Sequence, residues 1–312
     1  MPLAFQRFGI LVSIFLSFAT SVALAVEEPT FTTQTLRTKH STGLVRTQKS
    51  ESFFKTSARS TFSDKVSDVP QRTSLRGLAG PVEDQGQCGS CWDFSLTSVL
   101  RGSLLMSGAD PGRLSFNYLL NCAQPTYNCS GGDFDAADYL LHPKGVPAYG
   151  ADGTYSAQNG SCHHAKAIAS TKSYKLLGSD GGLQPGAPTP SFKDIAYVIG
   201  VLRRPVATDI NATDSFQNYA SGVYNDCTDS DITHIDHMVS IEGYDCESSV
   251  DAKGNCVFDA KGNLPPGVGT WLIRNSWGRF WGDNGYVTMK ATNSQGKRCN
   301  SVANDALYFT VR

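Results

Sequence analysis

Neither sign of charge is in excess in this chain of 312 residues. There are 27 Lys and Arg against 28 Asp and Glu, a formal net charge of −1. No basic excess argues for nucleic-acid binding, and no long like-charged run argues for a tail. Thirty glycines and 14 prolines fall short of a low-complexity or collagen-like composition. Cysteine is missing from the first 87 residues. A second Cys-x-x-Cys is missing as well, so Cys88-Gly89-Ser90-Cys91 lacks the partner pair that a zinc site requires. Long hydrophobic runs are scarce. The main one, Gly9–Phe18, is too short to span a bilayer, and nothing later approaches its length.

What is present begins with that run. Arg7 precedes it and Ala23-Leu24-Ala25 follows it, so residues 1–25 read as a signal peptide. The expectation is an exported protein (extracellular, periplasmic or lysosomal) with no membrane attachment after cleavage. Residues 26–67 are rich in Thr, Ser and Lys, without a helical stripe or strand alternation, and read as a short leader or propeptide, or a disordered linker. Residues 26–65 carry seven Lys/Arg and four Asp/Glu, net +3, ahead of a body at net −5. Opposite signs suit a segment that folds back, and equally a solvated linker. Residues 68–312 have the texture of a folded domain.

Within it, Ser90 to Met106 reads as a helix. Trp92, Leu96, Val99 and Leu100 form one apolar face, and Ser90 with Asp93 makes a Ser-x-x-Asp capping box that puts Cys91 at the first helical position. Shorter helices are expected near 115–121 and 133–141. Another is expected over 191–203, capped by Ser191 and Asp194. After Arg204 the pattern turns to strands. His237, Val239 and Ile241 alternate with Met238, Ser240 and Glu242, and further strands fit 270–275, 285–290 and 306–311. Helices first and strands second indicate an α+β protein in two halves, 68–204 mostly helical and 205–312 mostly strand. Two echoing units, Asp251 to Asn255 and Asp259 to Asn263, are turn chemistry without EF-hand spacing.

The chemistry centres on cysteine. Nine cysteines in an exported chain leave one thiol unpaired. Cys91 at a helix N-terminus sits where a thiolate is favoured. A bridge to Cys88 is the structural alternative. A nucleophilic cysteine needs a base, and six histidines are available. The surrounding words select among them. Gln85-Gly86-Gln87-Cys88-Gly89-Ser90-Cys91-Trp92 resembles the active-site segment of the papain-like cysteine peptidases. Asp236-His237-Met238-Val239 is similar to that family's histidine strand. Asn275-Ser276-Trp277-Gly278 is similar to its asparagine segment, and Cys129-Ser130-Gly131-Gly132 to its substrate-binding turn. The four motifs keep the family's order across 68–312.

The resemblance implies a papain-like fold, a helical half and a twisted antiparallel strand half with the active site in the cleft between them. It implies Cys91 as nucleophile, His237 as base and then acid, Asn275 as the group that orients the imidazole, and Gln85 as oxyanion donor. One such donor is typically worth about 3–4 kcal/mol of barrier. Gly131, Gly132, Asp236 and Trp277 would bind substrate, Gly132 because a side chain there would block the substrate chain and Trp277 by shielding the His–Asn contact. An ion pair with His237 would keep Cys91 a thiolate. The implied disulfides are Cys88–Cys129, Cys122–Cys162 and Cys227–Cys299, leaving Cys246 with Cys256 to close a local loop. No metal or cofactor is implied. Partners would be protein and peptide substrates, and the chain a monomer.

The implied activity is that of an endopeptidase working through a thioester acyl-enzyme. A cathepsin B-like exopeptidase, a catalytically silent binding relative and a thiol transacylase remain alternatives. The chain departs from the family pattern in four places. Its leader is short, the stretch 245–268 between His237 and Asn275 is inserted, and Asp93 stands where the family has a small residue. Asp133 and Phe134, after Gly132, also differ from the usual pocket residues.

Overall fold

A wide mixed sheet separates two apolar cores. The computed structural model describes residues 39–57, 59–62, 68–78, 80–178 and 189–311. The signal peptide read at 1–25, the leader up to residue 38 and the junction at 63–67 lie outside the described residues. In chain order the helices are α1 (Gln48–Thr56), α2 (Cys91–Met106), α3 (Asn117–Cys122), α4 (Phe192–Gly200) and α5 (Asp214–Gln217). The strands are β1 (Arg59–Ser60), β2 (Arg72–Ser74), β3 (Val146–Pro147), β4 (Ala167–Ala169), β5 (Ser173–Leu177) and β6 (Val206–Ile210). They continue with β7 (Val223–Tyr224), β8 (His237–Asp245), β9 (Thr270–Arg274), β10 (Tyr286–Lys290) and β11 (Ala306–Thr310). The stretch expected as a helix at 133–141 is a 3-10 helix, Phe134–Leu140. No helix among the described residues is long and apolar enough to cross a membrane.

The main sheet runs β1-β5-β11-β6-β8-β9-β10-β7, with β2 paired to β8. Its pairs are antiparallel except at the two outer edges, where β1 lies parallel to β5 and β7 parallel to β10. Period two explains the two cores. On β8, Val239 and Ile241 join one core with Ile195, Val198 and Ile199 of α4. Met238, one residue before Val239 and so on the opposite face, joins the other with Trp92, Leu96, Val99 and Leu100 of α2. The alternation of β8 therefore does not separate core from solvent, because eight of its nine residues are buried. The stretch read as mostly helical also carries strands β3, β4 and β5, and β5 enters the main sheet beside β11.

The described part of the leader is ordered and holds a helix that the sequence pattern did not announce. Thr47 and Ser50 cap α1 reciprocally. Leu44, Phe53 and Phe54 then enter the α2 core. The Phe54 ring meets Phe134 at 5.7 Å and the Phe53 ring meets Tyr174 at 5.6 Å. Two adjacent phenylalanines make no periodic stripe. Their burial comes from tertiary contact, which is why the local pattern was silent.

The 245–268 insertion lies at the end of β8 opposite His237. At about 3.3 Å per residue, eight steps along β8 put Asp245 roughly 26 Å from His237. Its two echoing units are Asx turns. Asp251 Oδ1 accepts from the Lys253 and Asn255 amides, and Asp259 Oδ1 from those of Lys261 and Asn263. Four disulfides join Cys88 to Cys129, Cys122 to Cys162, Cys227 to Cys299 and Cys246 to Cys256. Cys91 is free and buried.

Candidate active site

The N-terminus of α2 and the start of β8 bring Cys91 and His237 to one place. Cys91 opens α2, but the Ser90–Asp93 capping box does not form. The Ser90 hydroxyl bonds instead with Tyr155 Oη at 2.7 Å, and Ser90 makes no side-chain cap. Asp93 turns inward, fully buried, and its Oδ1 accepts from Thr97 Oγ1 at 3.0 Å. Burial pushes its carboxyl well above the ordinary range, and Oδ2 is without a hydrogen bond.

The Met238 amide donates to Cys91 Sγ at 3.4 Å. His237 Nε2 lies 2.8 Å from Asn275 Oδ1. The same Oδ1 accepts from the Ser276 amide at 2.8 Å, which identifies it as the carbonyl end of the asparagine. An acceptor there requires the hydrogen on Nε2, so Nδ1 carries the lone pair. His237 Nδ1 is buried without a hydrogen-bond partner. Trp277 stacks on the imidazole, centroids 4.6 Å apart, and is itself buried.

Cys91 and His237 are both fully enclosed, and enclosure decides their protonation. Burial, helped by the Asp236 charge, pushes the thiol up to about 12 against the Met238 and Gly43 amides. Burial lowers His237 to about 4, opposed by the Asn275 bond. In this state the pair is thiol and neutral imidazole. Exclusion of the water that would solvate an ion pair thus favours the neutral pair while the cleft is covered.

The leader excludes that water. Residues 40–46 run through the cleft over Cys91. The His40 ring stacks on Trp277 at 4.7 Å, and its amide donates to Gln217 Oε1. The Ser41 carbonyl accepts from Gln85 Nε2 at 3.0 Å and from Trp277 Nε1 at 3.1 Å. Gln85 is buried and held by Ser276 Oγ, 2.6 Å from its Oε1, which aims the amide nitrogen at the cleft. The Asp236 carbonyl accepts from the Gly43 and Leu44 amides at 3.0 and 2.9 Å. Val45 donates to the Gly132 carbonyl, and Gly132 donates to the Gly43 carbonyl.

The two glycines of the turn meet different neighbours. A Cβ on Gly132 would lie 2.4 Å from the Trp92 ring, so this glycine makes room for the core indole. A Cβ on Gly131, whose φ is +135°, would lie 2.4 Å from Val45 Cγ2. Gly131 is the one that lets a chain approach. The Cys88–Cys129 bridge, with the Gly89 amide on the Cys129 carbonyl at 2.9 Å, ties this turn to the nucleophile's loop.

Every residue that the motifs single out thus borders one cleft. Sequence reasoning missed Ser276 as the support of Gln85. It also missed Arg46, Asp209 and Asp305, which meet Asp133 beside Gly132. The positive leader against the negative body was the one signal of that meeting. Among the described residues, the one set of metal-type donors close together is Cys122, Cys162 and His164, and both sulfurs are committed to a disulfide.

Comparison with known proteins agrees with this arrangement. A family model described as papain family cysteine protease matches residues 67–310. Digestive cysteine proteinase 2 of Homarus americanus is 34% identical over 244 residues, 74% of this chain and 65% of that protein. Oryzain gamma chain of Oryza sativa subsp. japonica is 31% identical over 75% of this chain and 57% of its own length. The chain thus spans less than two thirds of these relatives. Bromelain from Ananas comosus, solved with the E64 inhibitor, superposes with a TM-score of 0.58 at 27% identity. That match covers 78% of this chain and 100% of bromelain. Procathepsin L2 from Tenebrio molitor superposes at 0.66 with 25% identity, over 87% of this chain and 78% of the other.

Proposed function

Because this chain belongs to the papain family of cysteine proteases, we propose that it is an exported cysteine endopeptidase whose described leader holds it inactive. The observation that carries the reading is the assembly of Cys91, His237, Asn275 and Gln85 at one cleft, where Gln85 Nε2 holds a peptide carbonyl, that of Ser41.

With the leader gone, water and substrate restore polarity to the cleft, and Cys91 can pass its proton to His237 Nδ1. The Asn275 bond to Nε2 keeps that nitrogen free to receive it. Sulfur then bonds to the substrate carbonyl carbon. The developing oxyanion lies where Gln85 Nε2 now holds the Ser41 oxygen, and this donor strengthens as charge grows. The tetrahedral adduct collapses, the C–N bond breaks, and His237 returns its proton to the leaving amine. A water deprotonated by His237 attacks the thioester and frees the acid and the thiol. Trp277 stacked on the imidazole keeps bulk water from the His237–Asn275 bond.

Endopeptidase action is supported by the path of the leader. It makes contacts on both sides of Cys91, at Gln217 and Trp277 in one direction and at Gly132 and Asp133 in the other. A chain can therefore lie through the cleft without ending in it. Four disulfides support an oxidising destination. The test is hydrolysis of an unstructured protein such as casein by protein freed of its leader. Activity abolished by Cys91→Ala and by one equivalent of iodoacetamide is expected. Hydrolysis that survives Cys91→Ala would refute the assignment.

A further inference from the structure

Beside Gly132 the leader drops one side chain into the body of the protein. Arg46 follows Val45, whose amide pairs with the Gly132 carbonyl. Its Nη1 lies 2.5 Å from Asp133 Oδ1, and its Nη2 lies 3.1 Å from Asp209 Oδ2 and 2.9 Å from Asp305 Oδ2. The three carboxylates come from the residue after Gly132, from β6 and from the approach to β11, and all three are buried.

This receptor is built without Arg46. The Phe134 amide donates to Asp133 Oδ1 at 2.8 Å, the Asp305 amide to Asp209 Oδ1 at 2.9 Å, and Asn304 Nδ2 to Asp305 Oδ2 at 3.3 Å. Asp133 Oδ2, buried, is left without a hydrogen bond. The Phe134 ring adds a flat surface 5.5 Å from the guanidinium carbon. Arg298 is the other cation that faces Asp209 and Asp305, but its hydrogen bonds go to Thr189 and to the carbonyls of Pro190, Val302 and Ala303. The nearby Lys49 is paired with Asp135 at 3.1 Å. Arg46 is therefore the cation that these three carboxylates bind.

Buried carboxylates without a counter-charge are costly. Burial already raises Asp133 to about 6, and burial with the Asp305 charge raises Asp209 to about 8, even with the guanidinium in place. When the leader leaves, the space that Arg46 fills opens beside the backbone of Gly132, and Asp133, Asp209 and Asp305 line it. Whatever enters best brings a cation, and a planar fork that can also stack on Phe134 suits arginine better than lysine.

We infer that Asp133, Asp209 and Asp305 form a specificity pocket for a basic side chain of the substrate, and that Arg46 is the leader's stand-in for it. The inference rests on the reading of the protein as a peptidase and names the substrate class of that same site: polypeptides carrying arginine, or more weakly lysine, close to the cleaved bond.

The test uses the leader-free protein and a positional-scanning library of fluorogenic peptides, with the cleaved bond located by mass spectrometry. One position within three residues of that bond should favour Arg over Leu by at least tenfold in kcat/KM. Asp209→Asn and Asp133→Asn should each lower the Arg-to-Leu ratio at that position by at least tenfold. A preference for Leu at every position in the unmodified protein overturns the inference without any variant. A ratio unchanged in both variants overturns it as well, and leaves the pocket as a latch for the leader alone. Protein that takes up iodoacetamide at Cys91 yet cleaves nothing would overturn the peptidase reading, and the pocket assignment with it.

Discussion

Replacing Phe53 and Phe54 with alanine should expose Cys91 to chemistry from which it is now shielded. The two rings anchor α1 to the body and are 8% and 3% exposed. Truncating a buried phenylalanine costs about 3–5 kcal/mol. The rings touch each other, centroids 5.3 Å apart, so the two losses are not additive. Even about 4 kcal/mol in total shifts the balance between seated and released leader by roughly 1,000-fold. The readout is alkylation, because only the thiolate reacts. With its thiol pushed up to about 12, Cys91 is ionised in about one molecule in 10⁵ at pH 7, against about three in 100 for an ordinary cysteine near 8.5. The unmodified protein should thus react with iodoacetamide at least about 1,000-fold more slowly than a free cysteine peptide. The double variant should react at least about 100-fold faster than its parent and take one equivalent at Cys91. Because both phenylalanines belong to the leader, the main thermal transition should persist. Equal rates in the two proteins, or label at another cysteine, would refute the account of burial by the leader.

Three further outcomes are expected. Asp93→Asn should raise the melting temperature at pH 8 and change it little at pH 5. A carboxyl held above its unfolded value keeps its proton on folding, so its penalty grows as pH climbs from about 4; equal shifts at both pH values would sink this. Gly132→Ala should lower stability by about 1–3 kcal/mol through the clash with Trp92, seen as a lower Tm, whereas Gly131→Ala should instead loosen the leader and speed alkylation of Cys91. Replacing Cys246 and Cys256 with serine should remove about 2–3 kcal/mol, read as a Tm lower by several degrees, and leave peptide hydrolysis within about threefold. A hundredfold loss in a folded variant would place the insertion at the cleft.

The parts of the site that could be read from the sequence are those written in contiguous words. Gln85 to Trp92, Asp236 to Val239 and Asn275 to Gly278 each sit on one loop or element end, so their local order survives in the fold. The Ser191–Asp194 capping box also forms as read, since both partners lie within one turn. The Ser90–Asp93 box failed because each member found a better partner through folding, Tyr155 for one and Thr97 for the other. Arg46 reaches carboxylates 87, 163 and 259 residues away, and no spacing rule connects such positions. Helix α1 escaped notice for the same reason, as its two phenylalanines gain meaning only against Tyr174 and Phe134.

Strand β1 is short, yet it covers the outer edge of the main sheet. Arg59 and Ser60 lie alongside Leu176 and Leu177 of β5, and the Gly178 amide closes on the Ser60 carbonyl. On the proposed reading, cleavage after β1 would strip this cover together with Phe53 and Phe54, leaving an open strand edge beside newly wetted aromatic surface. Such edges recruit other chains. Activation would then open a surface suited to self-association, and the leader would serve as an edge cover as well as a plug. On that reading the uncleaved chain is the form to concentrate, crystallise or store, and the freed enzyme is the one to keep dilute.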